Sequence, residues 1–286
     1  MFNKLKLYFR LTRMDKPVGW LLLLWPTLWG LWIAGDGSPR PKIVITFVLG
    51  VIFMRAAGCI VNDYIDRDFD AHVSRTKSRP LVTGEVSRLE ATALFILFII
   101  LCFGLVLTLN RLTLILASVG LVLTLTYPLF KRFTHFPQVY LGLVFSWGIP
   151  MAFAAERNDI PPIAWALVLA NLFWTVAYDT MYAMADRPDD RRVGIKSTAI
   201  LIGRYDLVFN AACQGAALIV LALIGRELNF SAWFYFGLLA AAGTAIYQNR
   251  LCKDRDRRLC LKAFLNNTWF GAMILLGILM TYLPIA

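Results

Sequence analysis

Oxygen-bearing side chains of the kind that bind divalent cations are concentrated in two short segments, 62–70 and 179–190, which hold eight of the 18 acidic residues of this 286-residue chain. Successive residues of a helix are rotated by about 100°, so side chains three, four and seven positions apart share a face. The first segment places four oxygen donors on one face: Asn62, Asp63, Asp66 and Asp70. The second segment does the same with Asp179, Tyr182, Asp186 and Asp190. Asp68 points to the opposite side of the first helix.

Carboxylates crowded on one helix face repel one another and need a cation between them. Mg²⁺ prefers oxygen ligands and is normally held by one or two carboxylates together with substrate phosphates. Two acidic clusters that face each other therefore predict Mg²⁺ bound against a diphosphate group. The predicted metal ligands are Asn62, Asp63, Asp66, Asp70, Asp179, Asp186 and Asp190. Four of them are expected to be catalytic: Asp66, Asp70, Asp186 and Asp190.

Pro188 interrupts the second cluster. A proline inside a helix removes a backbone hydrogen bond and clashes with the preceding turn. The sequence therefore predicts that this helix ends near Arg187, which leaves Asp189 and Asp190 on the following loop and makes Asp186 the safer metal ligand.

Each acidic cluster is followed by a basic, hydroxyl-bearing loop, 75–80 and 191–198. Cations near the clusters can bind the oxygens of a diphosphate and favour its departure. The residues expected to do so are Arg75, Arg79, Lys131 and Lys196. Departure would leave an allylic carbocation, which the faces of aromatic rings stabilise. The chain has 9 Trp, 20 Phe and 10 Tyr to supply such rings.

The elements that must position these residues are membrane-spanning helices. The chain is 59% hydrophobic, with a mean hydropathy of +0.63, whereas a soluble domain has about 45–50% apolar residues. A helix that crosses a bilayer needs about 20 mostly apolar residues. Nine stretches qualify: 18–34, 43–61, 91–109, 112–128, 138–155, 162–185, 207–225, 232–248 and 263–285. The sequence thus predicts an all-α, polytopic membrane protein with nine transmembrane helices.

Positive charge predicts the orientation. Most of the 29 lysines and arginines precede the first stretch or lie in alternate loops, and cytoplasmic loops carry such an excess. The N-terminus and the helix ends that carry the acidic clusters are therefore expected to face the cytoplasm, in the cell inner membrane. This bias accounts for the net charge of +11, and no nucleic-acid partner is expected. Membrane lipids are expected as partners, because the basic run 250–262 can contact anionic lipid headgroups.

A weak internal repeat organises the chain, because four helices separate the clusters and each cluster precedes a basic loop. We expect a single membrane-embedded domain over 1–286, built from two four-helix halves and a ninth helix. The clusters would face each other across a central cavity open to the cytoplasmic side. Arg55 lies two turns before Asn62 on the same face, where an unpaired charge is costly. A role lining the cavity is favoured over a structural ion pair with Asp63 or Asp66.

The two clusters resemble those of the UbiA superfamily of intramembrane prenyltransferases, and the resemblance extends over nearly the whole chain. Further runs resemble the branch that acts on 4-hydroxybenzoate: 13–19, Arg75 with Arg79-Pro80, Tyr127-Pro128, Lys131-Arg132, Pro137-Gln138, 178–184 and 194–198. The resemblance implies a polyprenyl diphosphate donor, 4-hydroxybenzoate as acceptor, Mg²⁺ as cofactor and a step of ubiquinone biosynthesis. The reaction would be electrophilic aromatic substitution at the ring carbon ortho to the hydroxyl.

The resemblance also implies roles for single residues. Arg75, Arg79 and Lys131 would surround the phosphates. The acceptor would be bound by Arg13, Arg55 and Tyr182.

Three alternatives stay open on sequence alone. The same fold could prenylate another acceptor, such as haem, a chlorophyllide, homogentisate or a dihydroxynaphthoate. An ion-coupled transporter also carries intramembrane carboxylates, but near the bilayer midplane on broken helices, whereas both clusters here lie at helix ends. Phosphatidyl-group transfer would require an Asp-Gly pattern that neither cluster contains.

Overall fold

Helices account for the regular structure of this chain. The computed structural model describes residues 2–73 and 75–283, apart from the side chains of Phe2 and Lys131. The regular elements of these residues are α-helices and one 3₁₀ turn at Gly203–Tyr205. The α-helices are α1 (Phe2–Leu11), α2 (Val18–Ala34), α3 (Pro41–Ile65), α4 (Arg67–Asp70), α5 (Arg88–Val106), α6 (Arg111–Phe133), α7 (Pro137–Ser146), α8 (Gly148–Arg157), α9 (Pro162–Val193), α10 (Thr198–Ile202), α11 (Asp206–Glu227), α12 (Ala232–Leu251) and α13 (Arg257–Tyr282). The all-α prediction is confirmed.

The nine predicted stretches overlap these helices, although 91–109 extends three residues past the end of α5 at Val106. Residues 284 and 285 of the last stretch lie outside the described residues. Seven helical segments of the described chain are long and apolar enough to cross a membrane: Pro41–Ile65, Arg88–Val106, Arg111–Phe130, Pro137–Arg157, Pro162–Val193, Thr198–Glu227 and Arg257–Tyr282. α2 is a shorter apolar helix, and α12 packs against α11 and α13. The fold is therefore polytopic, with seven candidate spans where the sequence predicted nine.

The stretch predicted as one helix over 138–155 is divided into α7 and α8 at Trp147. Pro150 explains the division, because its nitrogen has no hydrogen for the carbonyl of Ser146 and its ring crowds that carbonyl. Neighbouring helices hold the break: Trp147 donates from its indole to the carbonyl of Leu116 at 2.7 Å, and Asn171 donates to the Ser146 hydroxyl at 2.8 Å. The break thus has a fixed position between α6 and α9.

The lysine- and arginine-containing residues before the first apolar stretch form the helix α1, which the sequence did not predict. Leu11 is fully buried in a cluster with Ile60 of α3, and Lys4 pairs with Glu90 of α5 at 2.7 Å. Arg13 then adopts a left-handed backbone conformation, with φ 58°. These contacts attach the N-terminal segment to α3 and α5 and bring Arg13 to the first acidic cluster.

An aromatic core joins α2, α9 and α13. The ring of Trp174 stacks on Trp29 and on Phe270, with ring centres 5.4 and 5.1 Å apart, and its indole donates to Asn267 at 2.9 Å. Gly271 permits this packing, because a Cβ there would lie 2.6 Å from the Trp174 ring. Since buried, interlocked rings leave little room for movement, α9 holds the second acidic cluster in a defined position.

Candidate active site

A cavity of about 1030 Å³ lies within the helix bundle. Its lining contains every predicted site residue whose side chain the structure describes: Arg13, Arg55, Asn62, Asp63, Asp66, Asp70, Arg75, Arg79, Asp179, Tyr182, Asp186, Asp190 and Lys196. The side chain of Lys131 lies outside the described residues. The fold thus brings together, in one space, residues from the N-terminal segment, both acidic clusters and both basic loops.

The first acidic cluster keeps one face although its helix is interrupted. α3 ends before Asp66, which has φ −92° and ψ 1°, and the short α4 follows. Helical hydrogen bonding nevertheless continues, since Asp66 donates its N–H to the carbonyl of Asn62 at 2.9 Å and Asp70 donates to that of Asp66 at 2.8 Å. Asp66 and Asp70 are buried beside the cavity, whereas Asp68 is exposed.

The second acidic cluster lies on an unbroken helix. The prediction that Pro188 ends the helix near Arg187 is wrong, because α9 continues to Val193 and stops at Gly194, whose φ is 73°. The ring of Pro188 is exposed on the outer face of the helix. Asp190 consequently remains on the helix, one turn after Asp186, and lines the cavity.

Ion pairs on both sides of the proline explain why the helix continues. Arg187 pairs with the fully buried Asp206, which also accepts hydrogen bonds from Arg255 at 2.9 and 3.1 Å. Asp189 pairs with Arg257. Removing a cation from a buried carboxylate leaves an uncompensated charge, which is strongly destabilising. These pairs therefore stabilise the helical path through the proline.

Two of the six cations in the basic run 250–262, Arg255 and Arg257, form ion pairs with other parts of the protein, and Arg257 also lies 3.6 Å from Asp186. Contact of the run with lipid headgroups stays a prediction. Arg255 reaches Asp206 from a left-handed conformation, with φ 56°. Sequence reasoning missed these contacts because no spacing rule connects them; their one signal is the acidic Asp206 at the start of a largely apolar helix.

Asp63 is held by two arginines. Arg13 donates from one terminal nitrogen to both carboxylate oxygens, at 2.7 and 2.8 Å, and from the other to two backbone carbonyls. Arg79 lies 2.9 Å from the same carboxylate and also pairs with Asp70. Burial, the largest single effect, lowers the pKa of the Arg13 guanidinium, but the charge of Asp63 and its hydrogen bonds, together with the thiol of Cys59 and the phenol of Tyr182, raise it more, so the pKa is raised and Arg13 stays charged. The structure thus engages Arg13 with Asp63, where the sequence predicted an acceptor contact.

Arg75 connects the two acidic clusters. It follows the first cluster in the chain and donates two hydrogen bonds to Asp186 of the second, at 3.1 and 2.6 Å. Its guanidinium also lies 4.6 Å from the centre of the Tyr182 ring. Lys196 lines the same cavity and donates to the carbonyl of Phe133 at 3.3 Å. The cations expected to bind a diphosphate are therefore already grouped around the acidic clusters.

Arg55 lies two turns before Asn62 on α3, about 10 Å further along the helix axis. It lines the cavity, 5.8 Å from the centre of the Phe145 ring. Its Nε has no hydrogen-bond partner among the described residues. Asp63 is paired with other arginines, so the geometry favours the cavity-lining role of Arg55 over an ion pair with Asp63.

The oxygen donors fit Mg²⁺ but do not form a closed site by themselves. Across residues 2–73 and 75–283, no three His, Cys, Asp or Glu side chains are close enough to hold a metal ion alone. The donors are carboxylates and one amide, and Mg²⁺ usually completes such a set with waters and substrate phosphates. An open, two-sided set of oxygen donors flanked by arginines suits a cation that binds together with a phosphorylated substrate.

Known families provide an independent comparison for this arrangement. A family profile described as the UbiA prenyltransferase family matches residues 23–275. This chain belongs to the UbiA prenyltransferase family. The resemblance inferred from the two acidic clusters is thereby confirmed, and the chain is a prenyltransferase of the UbiA type.

Relatives of this UbiA family chain match it over nearly its full length. The 4-hydroxybenzoate octaprenyltransferase of Photobacterium profundum is 52% identical over 276 residues, which are 96% of this chain and 96% of that protein. The protein of the same name from Coxiella burnetii is 54% identical over 275 residues, again 96% of each.

Solved structures of UbiA homologs share the fold. The apo structure of a UbiA homolog from Aeropyrum pernix K1 gives a TM-score of 0.82 at 25% identity and covers 92% of this chain and 98% of that one. A UbiA homolog from Archaeoglobus fulgidus bound to GPP and Mg²⁺ gives a TM-score of 0.72 at 20% identity, with 94% and 99% covered. Together with the apolar helices, the family places the chain among multi-pass membrane proteins.

Proposed function

We propose that this chain transfers a polyprenyl group from a polyprenyl diphosphate to 4-hydroxybenzoate, at the ring carbon ortho to the hydroxyl, and releases diphosphate, as a step of ubiquinone biosynthesis. The observation that carries the proposal is the cavity, where two acidic clusters and their arginines surround one space and an apolar wall extends beyond them. Relatives more than half identical to the chain are named 4-hydroxybenzoate octaprenyltransferase, which supports this donor class and this acceptor.

The proposal includes a placement in the membrane. The protein lies in the cell inner membrane with nine transmembrane helices, and its N-terminus and cavity face the cytoplasm. The excess of lysine and arginine in alternate loops supports this orientation. A single domain of two four-helix halves, α2–α6 and α7–α12, with α13 appended, explains why each acidic cluster closes the second span of its half.

Mg²⁺ is proposed to join the two clusters through oxygen ligands. The proposed ligands are Asn62, Asp66, Asp70, Asp186 and Asp190. When bound, the metal would neutralise the diphosphate and stabilise it as a leaving group. Two further predicted ligands fit this set less well, because Asp63 is already neutralised by two arginines and Asp179 lies two helical turns from Asp186.

The arginines exchange partners when the donor binds. In the structure Arg75 holds Asp186, and Arg79 holds Asp70. A guanidinium binds phosphate oxygens with the same two-point geometry as a carboxylate. A diphosphate placed between the clusters therefore competes for the arginines and leaves the carboxylates for the metal. Lys196 adds positive charge, as does Lys131 by its position in the sequence.

The prenyl chain occupies the apolar part of the cavity. That part is lined by Phe47, Val51, Met54, Leu141 and Val144. The rings of Tyr127, Tyr178 and Tyr182 line the same space, and an aromatic face attracts a cation within about 6 Å of its centre. These rings are placed to stabilise the allylic cation, and the apolar wall excludes water that would consume it.

Arg55 is proposed to bind the carboxylate of 4-hydroxybenzoate. It is a cation that faces the cavity, and the two-point geometry of a guanidinium suits a carboxylate. With the carboxylate held at α3, the ring extends towards Tyr182 of α9. Because Arg75 packs on Tyr182, a ring beside Tyr182 lies next to the proposed diphosphate site. There the ortho carbon can attack the allylic cation and then lose its proton.

Product analysis tests the proposed function. Membranes containing the protein are incubated with Mg²⁺, labelled 4-hydroxybenzoate and prenyl diphosphates of several lengths, and the products are identified by mass. We expect the acceptor with one ring hydrogen replaced by the prenyl group. Preferential modification of homogentisate or a dihydroxynaphthoate would replace the acceptor in this proposal. Uptake into vesicles with no covalent product would indicate transport instead.

A second measurement tests Arg55. We expect Arg55→Gln to raise the KM for 4-hydroxybenzoate by about tenfold or more, the value of a lost charged hydrogen bond, and to leave the KM for the prenyl diphosphate unchanged. The variant should also lose the preference for 4-hydroxybenzoate over its neutral amide. A variant that keeps this preference would remove Arg55 from the acceptor site.

A further inference from the structure

Asp179 and Arg55 occupy equivalent positions on facing helices. Asp179 lies seven residues before Asp186 on α9, and Arg55 lies seven residues before Asn62 on α3. Seven residues correspond to two turns, about 10 Å along each axis. Both side chains line the same cavity. They therefore form a second polar layer, set back from the layer in which the acidic clusters meet.

Asp179 differs from the clustered carboxylates in its partners. Asp63 is paired with Arg13 and Arg79, and Asp186 with Arg75. No lysine or arginine whose side chain the structure describes forms a salt bridge with Asp179. The side chain of Gln138 lies beside it and lines the same cavity. Asp179 is thus a carboxylate that faces a neutral amide on one side and the cavity on the other.

Gln138 is fixed in the orientation that this contact needs. The residue is 4% exposed, and its Oε1 accepts a hydrogen bond from the backbone N–H of Thr198 at 3.2 Å. With its oxygen held, the amide can offer only its N–H₂ group to Asp179. Gln138 is therefore a positioning residue for Asp179, and the remaining lone pairs of the carboxylate are left for a donor that enters the cavity.

The metal layer is beyond the reach of Asp179. Mg²⁺ binds its ligands at about 2.0–2.1 Å, whereas the backbones of Asp179 and Asp186 are separated by about 10 Å along one helix. The geometry thus disfavours one ion held by both Asp186 and Asp179. Asp179 is instead placed to contact a substrate group, and the cation that lines the cavity at the corresponding position of α3 is Arg55.

We propose that Asp179 accepts a hydrogen bond from the ring hydroxyl of the acceptor while Arg55 holds the acceptor's carboxylate. This inference rests on the proposed function, because it takes a 4-hydroxybenzoate as the ligand of the second layer. A para-hydroxy acid carries an anion at one end and a neutral O–H donor at the other. The second polar layer offers a cation, Arg55, for the anion and a carboxylate, Asp179, for the O–H group. A hydroxyl that donates to a carboxylate gains electron density on its oxygen, and the ring shares that density at the ortho carbons. Asp179 would thereby orient the ring and favour attack at the carbon next to the hydroxyl.

The test measures ligand binding as well as turnover. Purified protein is titrated with 4-hydroxybenzoate and, separately, with benzoate, which lacks the hydroxyl, for the wild type and for Asp179→Asn. We expect Asp179→Asn to weaken 4-hydroxybenzoate binding roughly tenfold, as the loss of a charged hydrogen bond implies, and to leave benzoate binding unchanged. Gln138→Leu should act in the same direction with a smaller effect, because it removes only the positioning contact.

Kinetics separate this role from metal binding and from a structural one. The Mg²⁺ concentration for half-maximal rate and the KM for the prenyl diphosphate should be the same in Asp179→Asn and the wild type. A raised Mg²⁺ requirement, or equal losses for benzoate and 4-hydroxybenzoate, would overturn the inference. Wild-type protein that prenylates a different acceptor and ignores both benzoates would instead refute the proposed function, so the two failures are distinguishable.

Discussion

Arg75 and Asp186 form a two-point contact in which Nε and a terminal nitrogen lie 3.1 and 2.6 Å from the two carboxylate oxygens. The arginine comes from the loop after the first acidic cluster, and the aspartate belongs to the second. The contact therefore ties together the two clusters between which the diphosphate is proposed to bind. Because the fork of a guanidinium matches a carboxylate and a phosphate equally well, the same arginine can close the site in both states.

Substitution of Arg75 should separate charge from geometry. We expect Arg75→Gln to raise the KM for the prenyl diphosphate and to lower kcat by about 100-fold, the scale of a lost contact to a leaving group. Arg75→Lys should lie between the glutamine variant and the wild type, because lysine keeps the charge but not the fork. Initial rates at varied donor concentration measure both effects. A lysine variant with wild-type kinetics would show that the two-point geometry is unimportant.

The acidic clusters can be tested with a matched control on the same helix end. Asp66→Ala and Asp186→Ala should each lower turnover by at least about 100-fold, because each removes a proposed metal ligand. Asp68→Ala should keep nearly wild-type turnover, since Asp68 is exposed outside the cavity. Rates at saturating Mg²⁺ and substrate, with the unfolding temperature as a folding check, measure the difference. A loss in Asp68→Ala as large as in Asp66→Ala would contradict the assignment of the cavity face.

Removal of divalent cations should stop the reaction reversibly. The carboxylates and the diphosphate repel each other without a metal between them, so EDTA should abolish product formation and added Mg²⁺ should restore it. Binding of a non-reactive prenyl diphosphate analogue to purified protein should show the same dependence. Turnover that persists in EDTA would exclude Mg²⁺ from the reaction.

Gly19 should influence the acceptor through Arg55. A Cβ at Gly19 would lie 3.2 Å from one terminal nitrogen of Arg55 and 3.4 Å from its Nε, so an alanine must displace the guanidinium. We expect Gly19→Ala to raise the KM for 4-hydroxybenzoate severalfold and to leave the KM for the prenyl diphosphate unchanged. Gly104→Ala is the control, because it is a helical glycine with nothing within 4 Å of the added Cβ. Equal kinetics for the two variants would show that Arg55 does not depend on this space.

Local patterns predicted the helices and the faces that line the cavity. Apolar length and the helical repeat depend only on neighbouring residues, so nine stretches and two acidic faces could be read from the sequence. The face of the first cluster persists even across the interruption at Asp66, because the hydrogen bonds from Asn62 to Asp70 keep helical spacing.

Which charged side chains pair with each other was not predictable from the sequence, because the pairs form between distant segments of the chain. Arg257 and Asp189 are 68 residues apart, and this pairing is one reason why α9 passes through Pro188 instead of ending there. Arg13 was expected at the acceptor, yet Asp63 engages it at 2.7 Å. Propensity rules treat a proline or an arginine singly, whereas the folded chain decides their roles through buried charge pairs.

The guanidinium that Arg13 supplies to Asp63 comes from a region that precedes residues 23–275, the part recognised by the family profile. Asp63 is only 1% exposed. An enzyme trimmed to the shared family region would keep this buried carboxylate but lose Arg13, so that Arg79 alone of its two arginines would remain. Anyone preparing a shortened protein should therefore regard the residues before position 23, which include Arg13, as a component of the reaction centre and place affinity tags ahead of them or at the carboxyl end.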